Sequence, residues 1–297
     1  MGVPVIGWFR RARAGIAGPV VFLAAWSFPT SMLHVSPVAA QARRQAVVQP
    51  VPEVRRGDLL LGVGVHRGFD ATFPLGDLSG DLWSWGRLTL AYGLADRVLL
   101  EIEGDAWRVL SIERRGAAAI PLDPGVDDGT TSDAGDFEIA VGFMPIGGPR
   151  GLSGGARIGV RLPNSDERKG IGTNTTDVGL AGLLSWGAQA WRLTGRLGVG
   201  ILEAPLDRFE QNDVLEYGFE ATIDIAPRAR AALGVEGRAS TRDVVPLGTE
   251  DLAELRATLD WRARGAWGVD LAISRGLAGS RADWSVGAGV SWARPPR

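Results

Sequence analysis

The segment SWGAQAWRL, residues 185–193, places Trp186 and Trp191 on the two sides of a short turn. After the turn the chain alternates between apolar and polar side chains, as a strand with two different faces does. The apolar face contains Leu193, Leu197, Val199 and Ile201, and the polar face contains Arg192, Thr194 and Arg196. A tryptophan is most stable where its ring is buried and its N–H is hydrated. The segment therefore predicts a β-hairpin whose turn lies at a boundary between water and an apolar phase.

Alternation of this kind recurs along the chain and predicts about twelve strands. They are 58–66, 84–94, 97–112, 135–145, 152–163, 175–187, 190–202, 213–226, 229–240, 251–262, 266–276 and 283–292. Prolines fall outside these segments or at their ends, as a hydrogen-bonded ladder requires. Long connections alternate with short ones, which is typical of outer-membrane barrels. We therefore predict an all-β fold, a transmembrane antiparallel up-and-down β-barrel.

A soluble β-sandwich is the alternative fold, because its strands also alternate. The outward face of a sandwich would carry the polar side chains, and the other face would need large residues to fill a core. In this sequence the polar face combines many Arg and Glu residues with glycines, whereas the apolar face is almost free of charge. This division favours an apolar face in contact with lipid.

Aromatic residues cluster at the strand ends that adjoin the short turns. If the first strand runs outward from the periplasm, these turns are periplasmic and the aromatic residues form a girdle at the lipid interface. The girdle is predicted to contain Tyr92, Phe143, Trp186, Trp191, Trp261, Trp267 and Trp292. Ordinary core aromatics are the alternative, but the shared level of these residues favours the girdle.

Residues 1–42 have the order of a secretory signal peptide. Three basic residues at 10–13 precede an apolar run at 15–27, and the small residues at 40–42 form an A-x-A cleavage site. The apolar run is shorter than the roughly 20 residues that a transmembrane helix needs. We predict cleavage after Ala42 and a mature protein in the outer membrane of a Gram-negative-type bacterium.

The mature chain is predicted to have three parts. They are an extended periplasmic lead-in at 43–57, the outer-membrane barrel at 58–292 and a periplasmic tail at 293–297. The last strand ends in Trp292, and a terminal aromatic strand resembles the signal that the outer-membrane assembly machinery reads. The predicted partners are outer-membrane lipid, this machinery and a small-molecule solute whose identity the sequence does not give.

Composition argues against several other functions. The full chain has a formal net charge of −2, so it lacks the basic excess that sequence-independent nucleic-acid binding needs. It contains no Cys, which excludes disulfides and thiolate metal ligands. We predict no nucleic-acid partner and no cofactor.

Catalytic and metal-binding signals are weak. His66 is the one histidine after residue 42, and no H-x-S or D-x-H arrangement accompanies it, so we predict a non-enzyme in which His66 is a hydrogen-bonded lumen residue. The acidic stretch at 123–136 lacks the spacing of an EF-hand. We predict no metal site, although calcium binding by this stretch stays open beside a simple solvated role.

Charged residues on the predicted inward face form two walls of the lumen. Opposed acidic and basic walls would set a transverse field that orients polar solutes. A network that only fills a narrow interior is the equal alternative. The acidic wall contains Glu101, Glu103, Asp105, Asp136 and Glu138, and the basic wall contains Arg157, Arg161, Arg192 and Arg196.

Two parts of the chain resemble a known family. Residues 161–166, RLPNSD, followed by 169–179, KGIGTNTTDVG, resemble a stretch that recurs in outer-membrane barrels of the MetA-pathway phenol-degradation or transporter-like family. Residues 92–98, YGLADRV, are similar to the Tyr-Gly-Leu-Thr-Asp-Arg turn of the same group. The resemblance implies an outer-membrane barrel that moves small molecules, including hydrophobic or aromatic compounds, and it assigns no functional residues.

Together these observations predict an outer-membrane channel or transporter for the passive passage of small molecules. Loops 113–134 and 164–174 are expected at its mouth, and the lead-in at 43–57 is expected to plug the lumen through its Arg residues. The alternative is a structural or adhesive barrel with a closed lumen and extracellular loops that bind a ligand.

Overall fold

The computed structural model describes residues 54–294, except 149, 208–209, 264–265 and 280–281. The predicted signal peptide at 1–42, most of the lead-in and the last three residues of the tail lie outside the described residues. Within the described chain, no helix is long and apolar enough to cross a membrane.

Strands make up most of the described chain, with two 3₁₀ helices in its connections. The strands are β1 (Leu59–Phe73), β2 (Leu78–Ala95), β3 (Val98–Arg115), β4 (Thr130–Asp133), β5 (Phe137–Gly147), β6 (Gly151–Leu162), β7 (Asp177–Gly187), β8 (Trp191–Glu203), β9 (Gln211–Ala226), β10 (Ala229–Ser240), β11 (Leu252–Arg262), β12 (Trp267–Ala278) and β13 (Trp284–Ala293). The 3₁₀ helices are Pro124–Asp128, before β4, and Glu167–Lys169, before β7.

All of these strands except β4 form one closed antiparallel barrel. Strands that follow one another in the chain pair with each other, and β1 closes the ring by pairing with β13 from Leu60 opposite Ala293 to Phe69 opposite Trp284. The short β4 pairs with β3 beyond the part of β3 that pairs with β5. The predicted all-β up-and-down barrel of about twelve strands is confirmed. We call its short-turn end periplasmic and the opposite end extracellular, following the predicted orientation.

The first two strands are longer than the sequence predicts. The interval 67–83, between the predicted strands 58–66 and 84–94, was expected to be a long connection, and this expectation is wrong. Both strands continue through most of it and are joined by a tight turn after Phe73. The register shifts between Gly68 and Ala71, and Asp70 has a φ of 50°. A bulge of this kind moves the following side chains to the opposite face. The alternation is therefore lost although the strand continues.

A second bulge, at Gly86 in β2, sets the direction of its neighbours. Trp85 pairs with Val65 and Arg87 pairs with Gly64, so Gly86 is the extra residue. Its φ of 63° is a conformation that glycine adopts at little cost. In a regular strand, residues two positions apart lie on the same face. Because of the bulge, Trp85 lies on the outward face while Arg87 lies on the lumen side.

Two larger apolar clusters lie inside the described barrel, one near each end, and Met144 and Leu183 form a small third cluster. The extracellular cluster joins the upper parts of the first three strands to the loops that cover them, and it contains Ala71, Phe73, Leu78, Leu82, Leu110, Val126 and Ile171. The periplasmic cluster contains Val54, Leu60, Ala91, Leu99 and Ala293. Between these clusters the inward face is mainly polar, so any solute path must pass through charged side chains.

Candidate functional site

The two faces of each strand have opposite chemical character. Outward side chains are apolar and exposed, as for Val199 and Leu233, each 54% exposed. Inward side chains are polar and buried, as for Thr194 and Glu220, which are 1% and 3% exposed. This is the division between a lipid face and a lumen face that outer-membrane barrels have. The candidate site is therefore the lumen.

The predicted girdle residues lie at the periplasmic ends of their strands. Trp186 and Trp191 meet edge to face across their turn, with ring centroids 4.4 Å apart. Trp267 and Trp292 lie opposite each other in the pairing of β12 with β13. Tyr92, Phe143, Trp186, Trp191, Trp261 and Trp267 are exposed, and Trp292 is half-buried. Their role at a lipid interface stays a prediction.

A second group of outward aromatics lies at the extracellular end, which the sequence analysis missed. Its members are Phe69, Trp83, Trp85, Trp107 and Trp284. Trp83 and Trp85 stack with centroids 5.3 Å apart, and Trp284 lies opposite Phe69. Phe69 and Trp83 fall in the interval 67–83, which was expected to be a connection, so they were not recognised as strand residues. The outward surface thus has an aromatic level at each end.

The acidic and basic residues of the predicted walls are neighbours, and the expectation of opposed walls is wrong. Arg157 Nε donates to Glu101 Oε2 at 2.8 Å, and its Nη1 donates to Glu138 Oε1 at 2.6 Å. These residues lie on β6, β3 and β5, which are adjacent in the sheet. Side chains on adjacent strands are close enough to pair directly. Arg157 therefore neutralises part of the acidic charge along the same wall.

Two of the other three predicted basic residues are also paired with an acidic residue on a neighbouring strand. Arg161 pairs with Asp177 on β7, and Arg196 Nη2 lies 3.1 Å from Glu216 Oε2 on β9. Arg192 lies on the inward face of β8, opposite Gly187.

The predicted acidic wall needs one correction. Asp136 does not line the wall, because it precedes β5 and its Oδ1 accepts a hydrogen bond from the backbone N–H of Ser165 at 3.2 Å. It belongs to the extracellular mouth. Glu103 and Asp105 are on the inward face of β3, opposite Thr89 and Arg87 respectively.

Four further charged residues lie in the lumen, and together with Glu103 they form a group whose other members the sequence analysis did not place in the site. Arg87 on β2 interacts electrostatically with Arg256 on β11 and with Glu236 on β10. Glu103 and Glu254 complete this group. The strands that carry Arg87 and Glu236 are well separated around the ring. We call these five residues the central lattice; their charged groups are close enough to influence one another electrostatically.

Three cavities lead from the extracellular mouth toward the central lattice. The outermost, which we call the vestibule, has a volume of about 320 Å³ and is lined by Phe73, Ile171 and Leu252 among others. A second cavity of about 340 Å³ is lined by three Arg and three Glu residues. A third, of about 120 Å³, shares several of these residues. Arg238 lines all three cavities, so it lies where they meet.

Arg238 is held in place by the loop that follows β10. Its Nε donates to the carbonyl of Glu250 at 2.9 Å, and its Nη2 donates to the carbonyl of Gly248 at 3.4 Å. These bonds fix the guanidinium group at the base of the vestibule. A solute that leaves the vestibule therefore passes a positively charged group where the three cavities meet.

Loops 113–134 and 164–174, which were expected at the mouth, contact each other above the lumen. Asp123 pairs with Arg168 at 2.9 Å and with Lys169 at 3.0 Å. Asp133 accepts a hydrogen bond from the backbone N–H of Asp166 at 2.8 Å, while burial raises the pKa of its carboxyl group. These contacts hold Ile171 in the extracellular apolar cluster. The mouth is therefore covered on the side of the first five strands.

The same contacts bear on the open question of calcium. Asp123 pairs with the side chains of Arg168 and Lys169, whereas Asp133 accepts a hydrogen bond from the backbone of Asp166. Among the described residues, no three His, Cys, Asp or Glu side chains converge as a metal site would require. Calcium binding by the stretch 123–136 has no geometric support from the described residues.

At the periplasmic end, the lead-in enters the barrel through an apolar residue. Val54 is buried to 2% exposure against Leu60, Leu99 and Ala293, and its carbonyl accepts a hydrogen bond from the N–H of Arg97 at 2.8 Å. Arg55 and Arg56 are exposed at the rim. The expected plugging through arginines is wrong for these two residues, because burying an unpaired guanidinium is costly. The remaining arginines of the lead-in lie outside the described residues.

His66 faces the lumen near the central lattice. It lies opposite Ser84 and Gly287 in the register, and its electrostatic neighbours are Arg87, Arg256 and Asp105. His66 thus lies on the lumen side of the wall, and the hydrogen bond predicted for it stays a prediction.

Comparison with solved structures places this geometry among known barrels. An outer-membrane channel from Pseudomonas putida F1 has 17% sequence identity and a TM-score of 0.56, and the match covers 83% of this chain and 100% of that one. The fold is similar to that of an outer-membrane channel. The NanC porin has 13% identity and a TM-score of 0.51, with 79% of this chain and 98% of that one covered.

No protein-family model and no curated protein sequence match the chain. The resemblance to the phenol-degradation or transporter-like family therefore stays a prediction, as does cleavage of residues 1–42. At the identities above, the solved structures bear on the fold alone.

Proposed function

We propose that the protein is a narrow, passive outer-membrane channel for small solutes that combine an apolar or aromatic body with polar groups. The observation that carries the proposal is the series of cavities that meet at Arg238 and lead from the vestibule toward the central lattice. The vestibule offers an apolar surface at Phe73, Ile171 and Leu252, which suits the hydrophobic or aromatic compounds that the family resemblance implies. Below the vestibule, the polar groups of the solute would contact one charged side chain after another.

The balance of charge in the second cavity bears on selectivity. Arg161, Arg196 and Arg238 are matched there by Glu216, Glu236 and Glu254. A lumen with both signs close together favours neutral or dipolar solutes over ions of one sign, because no net charge attracts a counter-ion along the path. The proposal does not include an enzyme activity; hydrolysis of lipid or peptide that disappears in His66→Ala would contradict it.

A closed structural or adhesive barrel is the second candidate, and one observation favours it. Arg256, Glu101 and Glu220 are each less than a tenth exposed, so buried charged side chains occupy much of the lumen. The two candidates differ in whether solute passes. In planar bilayers a channel gives discrete conductance steps, and a closed barrel leaves the bilayer at its lipid baseline.

Charge reversal at Arg238 tests the path. We expect small conductance steps with weak ion selectivity for the unmodified protein. In Arg238→Glu we expect a severalfold rise in the cation-to-anion permeability ratio, because the charge at the point where the three cavities meet changes sign. Arg228→Glu makes the same charge change on an exposed periplasmic turn and is expected to leave the ratio nearly unchanged. An equal effect of the two changes would contradict a path past Arg238.

Removal of the lead-in tests whether it narrows the periplasmic end. Deleting residues 43–57 removes Val54 from the periplasmic apolar cluster, so we expect larger single-channel conductance steps. Val54→Ser is the milder change and is expected to have a smaller effect of the same sign. Unchanged conductance in the deletion would mean that these residues do not obstruct the path.

A further inference from the structure

The outward surface of β12, β13 and β1 is uncharged except near its extracellular end. On these strands the outward residues from the periplasmic end upward are apolar or aromatic until Arg67 on β1 and Arg275 on β12. At the periplasmic end the same surface presents Trp267 and Trp292 without a basic neighbour on these strands. The two ends of one lipid-facing surface therefore differ in charge.

Both arginines lie against the extracellular aromatics. Arg275 Cζ is 5.3 Å from the ring centroid of Trp284. Arg67 Cζ is 4.7 Å from the centroid of Phe69 and 5.1 Å from that of Trp83. A guanidinium over an aromatic face is held by the ring quadrupole while its N–H groups stay available at the edge. These contacts fix the position of both charges.

The register makes these residues one patch. Trp284 on β13 lies opposite Arg275 on β12 and opposite Phe69 on β1. Neighbouring strands are about 4.8 Å apart, so β12 and β1 are separated by roughly 10 Å across the surface. We call Arg67, Phe69, Trp83, Arg275 and Trp284 the extracellular patch.

The two cations differ in how far they are already neutralised. Arg67 Nη2 lies 2.6 Å from Asp81 Oδ2. Arg275 is exposed, and within the described chain no carboxylate pairs with it. An arginine on the lipid side is tolerated near an interface but is costly at the middle of the bilayer. The N–H groups of Arg275 are therefore available to an anion from outside the protein.

We propose that the extracellular patch binds a phosphate group of a phosphorylated glycolipid in the outer leaflet. The planar guanidinium of Arg275 matches a phosphate through two parallel hydrogen bonds. Trp284 and Trp83 lie at headgroup level, where tryptophan is favoured, and contact the upper part of the lipid. Arg67, already paired, adds positive potential beside the phosphate.

Lipid affinity measured on the intact detergent-solubilised protein tests this proposal. With diphosphorylated lipid A as the probe, native mass spectrometry should give about tenfold weaker binding for Arg275→Gln than for the unmodified protein, as expected for loss of a charged hydrogen-bonding group. Lipid A without its phosphates should bind both forms equally and weakly. Arg228→Gln, at the periplasmic turn, should keep full affinity.

A second variant separates lipid binding from folding. Arg67→Gln with Asp81→Asn removes the ion pair without leaving a lone carboxylate, and combined with Arg275→Gln it should abolish the preference for the phosphorylated lipid. Heat-modifiable migration on gels verifies that each variant is a folded barrel. Equal affinity of all folded variants for the phosphorylated lipid would overturn the proposal. Displacement of the lipid by millimolar inorganic phosphate would assign the site to free phosphate and overturn it also.

Discussion

Val199→Arg is expected to destabilise the barrel by about 2 to 4 kcal/mol, because it places a guanidinium on the lipid-facing surface near the middle of β8. Val199 is exposed on the outward face, opposite Leu180 on β7. The free energy of unfolding can be measured by urea titration of the protein in lipid vesicles. Leu233→Arg, in β10, should cost a similar amount, since Leu233 is equally exposed on the same face.

Gly179→Arg is the matched control for this prediction. Gly179 precedes Leu180 on β7 but faces the lumen, and a side chain added there meets Glu216 as its nearest group, at 3.5 Å. The new cation would have water and a carboxylate instead of lipid, so we expect a much smaller cost. Thr194→Arg is a poorer control, because Thr194 is fully buried and bonds to Ser185. Equal costs for Val199→Arg and Gly179→Arg would mean that the faces are assigned wrongly.

Arg157→Ala is expected to have the second large effect, a loss of about 3 kcal/mol of stability, because it leaves two partly buried carboxylates without their shared partner. Arg157 lies within 2.8 Å of Glu101 and 2.6 Å of Glu138. The same change should make the lumen more selective for cations. Urea unfolding and ion selectivity in planar bilayers measure the two effects separately.

Neutralising the whole group distinguishes pairing from packing. In the triple change Glu101→Gln, Arg157→Gln and Glu138→Gln, no charge is left uncompensated, and most of the lost stability should return. Because the unmodified group has a net charge of −1 and the triple variant has none, the cation selectivity gained in Arg157→Ala should be lost and should fall slightly below that of the unmodified protein. A triple variant as unstable as Arg157→Ala would show that the shape of the arginine matters more than its charge.

The barrel and its faces could be predicted from the sequence because both depend on local alternation. Leu193, Val199 and Ile201 reveal their common face by spacing alone, and the turn between Trp186 and Trp191 marks a strand end. Alternation fails where a bulge intervenes, so the strand residues around Asp70 and the inward direction of Arg87 were missed. A bulge depends on a single backbone conformation that neighbouring residue types do not specify.

The candidate site was only partly predictable. The identity of the inward charges on β3, β5, β6 and β8 followed from alternation, but their mutual pairing depends on side-chain reach between adjacent strands. Asp136, Val54 and Arg238 take their positions from loops and termini that fold back on the barrel. Such contacts join residues far apart in the chain, and no periodic pattern signals them.

The pairing of β1 with β13 has a consequence for the order of folding. Other pairings in the ring join strands that lie close in the chain, so their loop-closure entropy is small. The seam between β1 and β13 instead joins residues more than 200 positions apart, and until it forms both strands are open edges prone to pairing with other chains. A nascent chain that lacks β13 cannot close the ring, so release from any helper must wait until β13 has been made.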